Sequence, residues 1–132
     1  MSESGAPTFR SSYAKLPAQE VERARAFYRD TLGFEPVRGD ERHLFYECGG
    51  ANFLVFQSSG APSGTHDQLG FVVDDVRSEV SKLQARGVEF ETFEAPPGCT
   101  FEDCVMDYGA AQAAWFKDSE GNLISIVQFV GG

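Results

Sequence analysis

Gln68-Leu69-Gly70-Phe71-Val72-Val73-Asp74-Asp75-Val76 and Tyr13-Ala14-Lys15-Leu16-Pro17-Ala18-Gln19-Glu20-Val21 are two copies of one pattern. Each runs as a strand, turns on an acid, and meets a valine at a helix start. Beyond the earlier copy, Val21, Ala24, Phe27, Tyr28, Thr31 and Leu32 recur at i, i+3, i+4 spacing, which predicts an amphipathic helix over Glu20–Leu32. Beyond the later copy, Val76, Val80 and Leu83 predict a second helix over Val76–Arg86, with Asp74 or Asp75 available as N-cap. Gly33 and Gly87 follow the two helices as stops.

The remaining chain reads as strands over residues 12–18, 34–38, 42–48, 52–57, 68–73, 88–94, 112–117 and 122–129. Gly49-Gly50 and Glu120-Gly121-Asn122 mark hairpin turns. The order is β-α-β-β-β, twice. Phe45-Tyr46-Glu47 followed by Asn52-Phe53-Leu54-Val55-Phe56 matches Trp115-Phe116-Lys117 followed by Asn122-Leu123-Ile124-Ser125-Ile126. We therefore read residues 1–132 as one domain, with module one at 12–57 and module two at 66–129. Module two carries extra chain at 95–111, whose Pro96-Pro97-Gly98 and Tyr108-Gly109 punctuation fits a loop or a short hairpin.

Strand alternation sorts the side chains into two rows. Ala14, Leu16, Ala18, Leu44, Tyr46, Cys48, Leu54, Phe56, Leu69, Phe71, Val73, Ala114, Phe116, Ile124 and Ile126 form an apolar row expected to lie under the helices. The opposite row is mixed: Tyr13, Lys15, His43, Phe45, Glu47, Phe53, Val55, Gln57, Gln68, Gly70, Val72, Ala113, Trp115, Lys117, Leu123, Ser125 and Val127. Rings interleaved with Gln, His, Ser and Tyr suit a ligand cavity, where apolar walls bury the guest and a few polar groups orient it. A dimer interface on the same face is the other reading, and the two are compatible.

Composition narrows the function classes. Eleven basic against twenty acidic residues leave a formal charge of -9, which opposes binding to nucleic acid. No apolar run approaches the roughly 18 residues of a membrane helix. Met1 to Pro7 read as a frayed tail and not as a signal peptide. Three cysteines, Cys48, Cys99 and Cys104, with no secretion signal suit the cytoplasm. Cys48 is expected to be buried, and the Cys99/Cys104 spacing lacks the partner pair of a zinc site.

Three stretches together resemble the vicinal oxygen chelate superfamily of glyoxalases, bleomycin-resistance proteins and extradiol dioxygenases. They are Phe27-Tyr28-Arg29-Asp30-Thr31-Leu32-Gly33-Phe34, Phe71-Val72-Val73-Asp74-Asp75-Val76 and Trp115-Phe116-Lys117-Asp118-Ser119-Glu120-Gly121-Asn122-Leu123-Ile124. The resemblance implies an α+β fold, in which two βαβββ modules form an open, funnel-like mixed sheet with helices on the outer face. It also implies a homodimer. In metal-using members of the family the ligands are mostly His and Glu, and their positions fall here on Tyr13, Val55, Gln68 and Ser125. None of these is a good donor for a divalent cation, so no metal or other cofactor is expected. His66, His43 and Glu47 could in principle form a relocated triad, but they lie on different strands and off the family positions.

The resulting expectation is a metal-free protein that sequesters a small aromatic or apolar molecule, with no membrane or nucleic-acid partner. Phe45, Phe53, Val55 and Trp115 would supply apolar surface, and Tyr13, His43, Gln57, Gln68 and Ser125 polar handles. Phe101, Met106 and Tyr108 in the extra segment would form either a lid or a plain surface loop. The alternative is a metal-independent isomerase, lyase or cyclase using Lys15, His43, Glu47 and Tyr13 as acid–base groups.

Overall fold

The structure, a computed structural model, describes residues 6–129. The expected tail therefore lies for the most part, residues 1–5, outside the described residues. Module one contributes β1 (Ala14–Ala18), α1 (Val21–Phe27), β2 (Arg38–Gly39), β3 (His43–Cys48) and β4 (Ala51–Gln57). Module two contributes β5 (Asp67–Val72), α2 (Val76–Ala85), β6 (Thr100–Glu102), β7 (Val105–Asp107), β8 (Ala111–Lys117) and β9 (Leu123–Phe129). Two open mixed sheets result, of four strands in the order β1-β4-β3-β2 and of five in the order β5-β9-β8-β7-β6. In each, the first strand lies parallel to the last and the others are antiparallel. This is the α+β fold class that the family resemblance implies.

Both helices cover apolar strand faces. Leu16, Tyr46, Phe53 and Val55 from the first sheet join Ala114, Phe116, Ile124 and Ile126 from the second in one buried cluster with Val21, Ala24, Val76 and Val80 of the helices. Aromatic contacts stitch the modules together, since Phe71 stacks on Phe34 at 5.4 Å and meets Phe53 edge-on at 5.9 Å.

Two strand expectations are corrected. The strand at 34–38 shrinks to Arg38–Gly39, because Pro36 has no N–H to give to a ladder. The strand at 88–94 is reduced to a single bridge, Phe90 with Phe116. Its alternation is real, with Val88 buried between exposed neighbours, but β7 already occupies β8 at Gln112 and Ala113 and leaves room for little more. Of the two readings of 95–111, the short hairpin is the one present: β6–β7 lies within it, extends the sheet and buries Val105 and Met106.

The most consequential correction concerns β4. Gly49 and Gly50, at φ 58° and 85°, make a two-residue turn that only glycine-like backbone takes easily, and Cys48 pairs with Ala51. That register sets Tyr46 opposite Phe53 and Leu44 opposite Val55, so Phe53 and Val55 belong to the helix-side core. Leu54 and Phe56, expected under the helices, lie on the other face. Cys48, expected to be buried, is an exposed free thiol at the strand end.

Helix α1 begins without a side-chain cap of its own, since Glu20 does not bond back to the helix. The cap comes from module two. Glu120, in the β8–β9 turn, accepts from the backbone N–H of Gln19 and Glu20 at 3.1 Å each, and the Arg23 guanidinium donates to both of its oxygens at 2.7 and 3.0 Å. Burial works against the ionised Glu120, but the donors from Arg23, Glu20 and Ser119 outweigh it and hold its carboxyl below the ordinary glutamate value. A depressed folded-state value stabilises the protein above the unfolded-state pKa of about 4.3 and is lost as pH falls through the folded value. Glu120→Gln is therefore expected to be less stable than the parent at neutral pH in urea melts. The difference should shrink as the medium is acidified below about pH 4. A difference that does not change with pH would show that the ionised carboxylate contributes nothing.

Helix α1 continues through a π-helical turn, Tyr28–Leu32, to Gly33 at φ 83°. Helix α2 is capped as the sequence suggests, Ser78 N–H donating to Asp75 at 3.2 Å, and the Val76 N–H donates to the Gln128 side chain at 2.9 Å.

Candidate functional site

On the face of the second sheet away from the helices, β7, β8 and β9 present Met106, Trp115 and Leu123 to a cleft of about 280 Å³. The chain between α2 and β6 adds Phe93, Glu94 and Pro96, and Tyr108 follows from the end of β7. Thr65, His66 and Asp67, where the chain enters β5, complete the rim. The Phe93 ring stands edge-on to the Trp115 indole at 5.1 Å, so the two side chains fix one another's orientation. Trp115 points away from the helices because it pairs with Ser125, one step out of phase with the buried pairs Ala114–Ile126 and Phe116–Ile124.

Of the residues singled out in the sequence, the cleft brings together Trp115, Met106 and Tyr108. Ser125 shares their face but is buried between Trp115 and Gly70, where any side chain at Gly70 would press on its hydroxyl. Phe101 pairs with Met106 one strand further out and does not line the cleft. Gln68 sits at a β-bulge between Asp67 and Leu69, so Asp67 and not Gln68 pairs with Leu123 and borders the cleft.

The module-one candidates lie elsewhere. Phe53 and Val55 are core residues, a correction to their expected face. Gln57, in phase with them, is exposed at the end of β4. Phe45 is half-buried beneath the Arg38 guanidinium, 4.3 Å from its ring centre. His43 pairs with Asp40 through Nδ1 at 2.9 Å, and the Lys15 ammonium rests over Phe56 at 5.0 Å. Tyr13 and Glu47 are solvent-exposed. These groups do not converge on the cleft. The cleft residues missed in the sequence include Phe93, Glu94, Pro96 and Asp67. The alternation expected over 88–94, which sets Phe93 on the face opposite Phe90, is the only local signal that could have flagged one of them.

Other depressions are poorer sites. A larger one, about 540 Å³, is lined by Glu22, Arg25, Asp40, Glu41 and Arg42, charged side chains of which Arg25 already meets Glu22 at 3.4 Å. A gap of about 300 Å³ between the modules is lined by Asn52, Phe53 and the strand Leu69–Val72, and Val72 is 73% exposed there.

A family model for the Glyoxalase/Bleomycin resistance protein/Dioxygenase superfamily matches residues 10–126. The chain belongs to that superfamily. A search of the curated proteins finds no match. Solved structures share the fold at low sequence identity. FosX, a genomically encoded fosfomycin resistance protein from Listeria monocytogenes, superposes with a TM-score of 0.70 at 14% identity, covering 95% of this chain and 97% of its own. TnmS3, an antibiotic binding protein from a Streptomyces species, gives 0.64 at 24% identity, with 93% and 99% covered. Lactoylglutathione lyase from Agrobacterium tumefaciens gives 0.64 at 22%, with 93% and 96% covered.

A divalent cation of the kind used by metal-dependent members of the superfamily needs several donor side chains on one ion. Among the described residues no three His, Cys, Asp or Glu side chains are placed to hold one ion. His66 and His43 sit in different modules, and the latter is engaged with Asp40. Among the described residues the side chains do not form a donor set that fits a divalent cation. No helix among the described residues is long and apolar enough to cross a membrane.

Proposed function

We propose that this superfamily member is a metal-independent small-molecule binding protein that sequesters an aromatic or apolar compound in the Trp115 cleft. The observation that carries the proposal is the Trp115–Phe93 pair, opened to solvent beside Met106, Pro96 and Leu123. Apolar walls with a few convergent polar groups are what a small organic guest requires. Each well-placed aromatic contact adds about 0.5–1.5 kcal/mol beyond burial, so two or three rings supply part of the roughly 8 kcal/mol that micromolar capture requires and burial of the guest's apolar surface supplies the rest. That one structural neighbour is an antibiotic binding protein and another a fosfomycin resistance protein agrees with this role. The protein acts in the cytoplasm, in keeping with three free cysteines, and as a homodimer that covers the exposed face around Val72. An isomerase, lyase or cyclase role draws no support, because Lys15, His43, Glu47 and Tyr13 do not line the cleft.

Trp115 is the only tryptophan in the sequence, so its emission reports on the cleft directly. Titration with a library of planar aromatic compounds in the presence of a strong chelator is expected to give saturable quenching by at least one of them. The same compound should raise the melting temperature, since a ligand at 100 times its Kd adds about 2.7 kcal/mol of stability. Binding that disappears on adding chelator would refute metal independence, and silence across the library would refute sequestration.

A further inference from the structure

We infer that the compound held in the Trp115 cleft is an organic cation with a flat or apolar body, an inference that rests on the binding function proposed above and names its ligand class. The ionisable side chains on the cleft are unbalanced. Asp67 and Glu94 both border it, His66 is the remaining titratable group of its rim apart from the Tyr108 phenol, and among the described residues no lysine or arginine lines it. The carboxylates flank three rings, Trp115, Phe93 and Tyr108. Each feature alone is ordinary; their coincidence in one cleft is selective. A neutral aromatic guest gains the ring contacts but takes water from two carboxylates without replacing it. An anionic guest meets like charge. A protonated amine on a flat ring system gains on both counts, because the ring faces attract the cation and the carboxylates neutralise it.

The overall charge of -9 draws any cation toward the protein, so a general attraction must be separated from recognition in the cleft. Proflavine and acridine serve as the probe pair. They share one tricyclic ring system, and at mildly alkaline pH the first is a cation and the second neutral. Proflavine is expected to quench Trp115 with an affinity about tenfold or more above that of acridine. In the double variant Asp67→Asn/Glu94→Gln the gap should close, with proflavine losing affinity and acridine losing none. Glu41→Gln, an exposed acid away from the cleft, should preserve the gap. Asp67 and Glu94 are both solvent-exposed, so the double variant keeps its fold, which a thermal melt verifies. Equal affinities for the two probes, or a gap that survives in the double variant, would overturn the cation inference and leave sequestration standing. If neither probe quenches and the aromatic library is also silent, the binding function itself falls. Quenching by other, neutral library members alone would remove only the cation.

Discussion

Asp118→Ala is expected to destabilise the protein by at least about 3 kcal/mol, one of the largest losses available from a single side chain. Asp118 is 6% exposed. Its Oδ2 accepts from the Tyr28 hydroxyl at 2.7 Å and from Asn122 Nδ2 at 2.9 Å. Its Oδ1 accepts from the backbone N–H of Glu120 at 2.8 Å and of Asn122 at 2.9 Å. Removing the carboxylate leaves buried donors without partners, and each such loss costs about 1–3 kcal/mol. The Tyr28 hydroxyl suffers most, since that ring is fully buried and stacked on Tyr46 at 5.2 Å. Burial and the nearby Asp118 push the Tyr28 phenol well above its ordinary value, so it stays a hydrogen-bond donor across the working pH range. Tyr28→Phe should cost less, about 1–2 kcal/mol, because Asp118 keeps its other donors. The double variant should fall short of the sum. The midpoint of urea unfolding measures all three, and a loss below about 1 kcal/mol for Asp118→Ala would show that the turn is not a structural keystone.

Because the Asp118–Asn122 turn belongs to module two and Tyr28 to module one, the same bonds join the modules. Asn122 Nδ2 also donates to the Pro17 carbonyl of β1 at 3.0 Å, and Glu120 caps α1 as described above. The modules are thus expected to unfold together.

Phe53→Ala should destabilise by about 3–5 kcal/mol, the range for removing a buried phenylalanine ring. Phe53 is 2% exposed, stacks on Tyr46 at 5.0 Å, and meets Phe34, Phe71 and Tyr28 at 5.8–5.9 Å. It is where aromatic side chains from both modules converge. The prediction also separates two registers of β4. If Phe53 faced a ligand, its removal would weaken binding and spare the fold. In the observed register it spares the cleft and costs the fold. Chemical denaturation, together with quenching of Trp115 by a bound aromatic, distinguishes them. A loss under about 1 kcal/mol with impaired binding would overturn the register.

The error at β4 has a clear origin. Phe53-Leu54-Val55-Phe56 is apolar on both faces, so alternation alone does not fix its phase. Equating it with Leu123–Ile126 sets it one residue out of step, because the two hairpin loops differ in length: Gly49-Gly50 closes the first in two residues, while the second spans Asp118 to Asn122. The corrected register equates Leu54, and not Val55, with Ser125. Read on its own terms, the two-glycine turn already placed Tyr46 opposite Phe53. The β6–β7 hairpin gave no such sign, since Asp103 and Cys104 make its tight turn at φ 51° and 68° with no glycine.

Local pattern determined the two helices, the doubled strand–helix order, the superfamily and the outward direction of Trp115, because periodicity and turn chemistry are written in neighbouring residues. Only the tertiary structure decided which side chains meet. The cleft joins Thr65–Asp67, Phe93–Pro96, Met106, Tyr108, Trp115 and Leu123, segments remote in sequence that become neighbours once the strands pair and a bulge sets Asp67 beside Leu123. A strand's own alternation states which side of a sheet a residue takes. Which residues from other segments share that side depends on strand order and on the course of the connecting loops, and those are set by burial of the whole core.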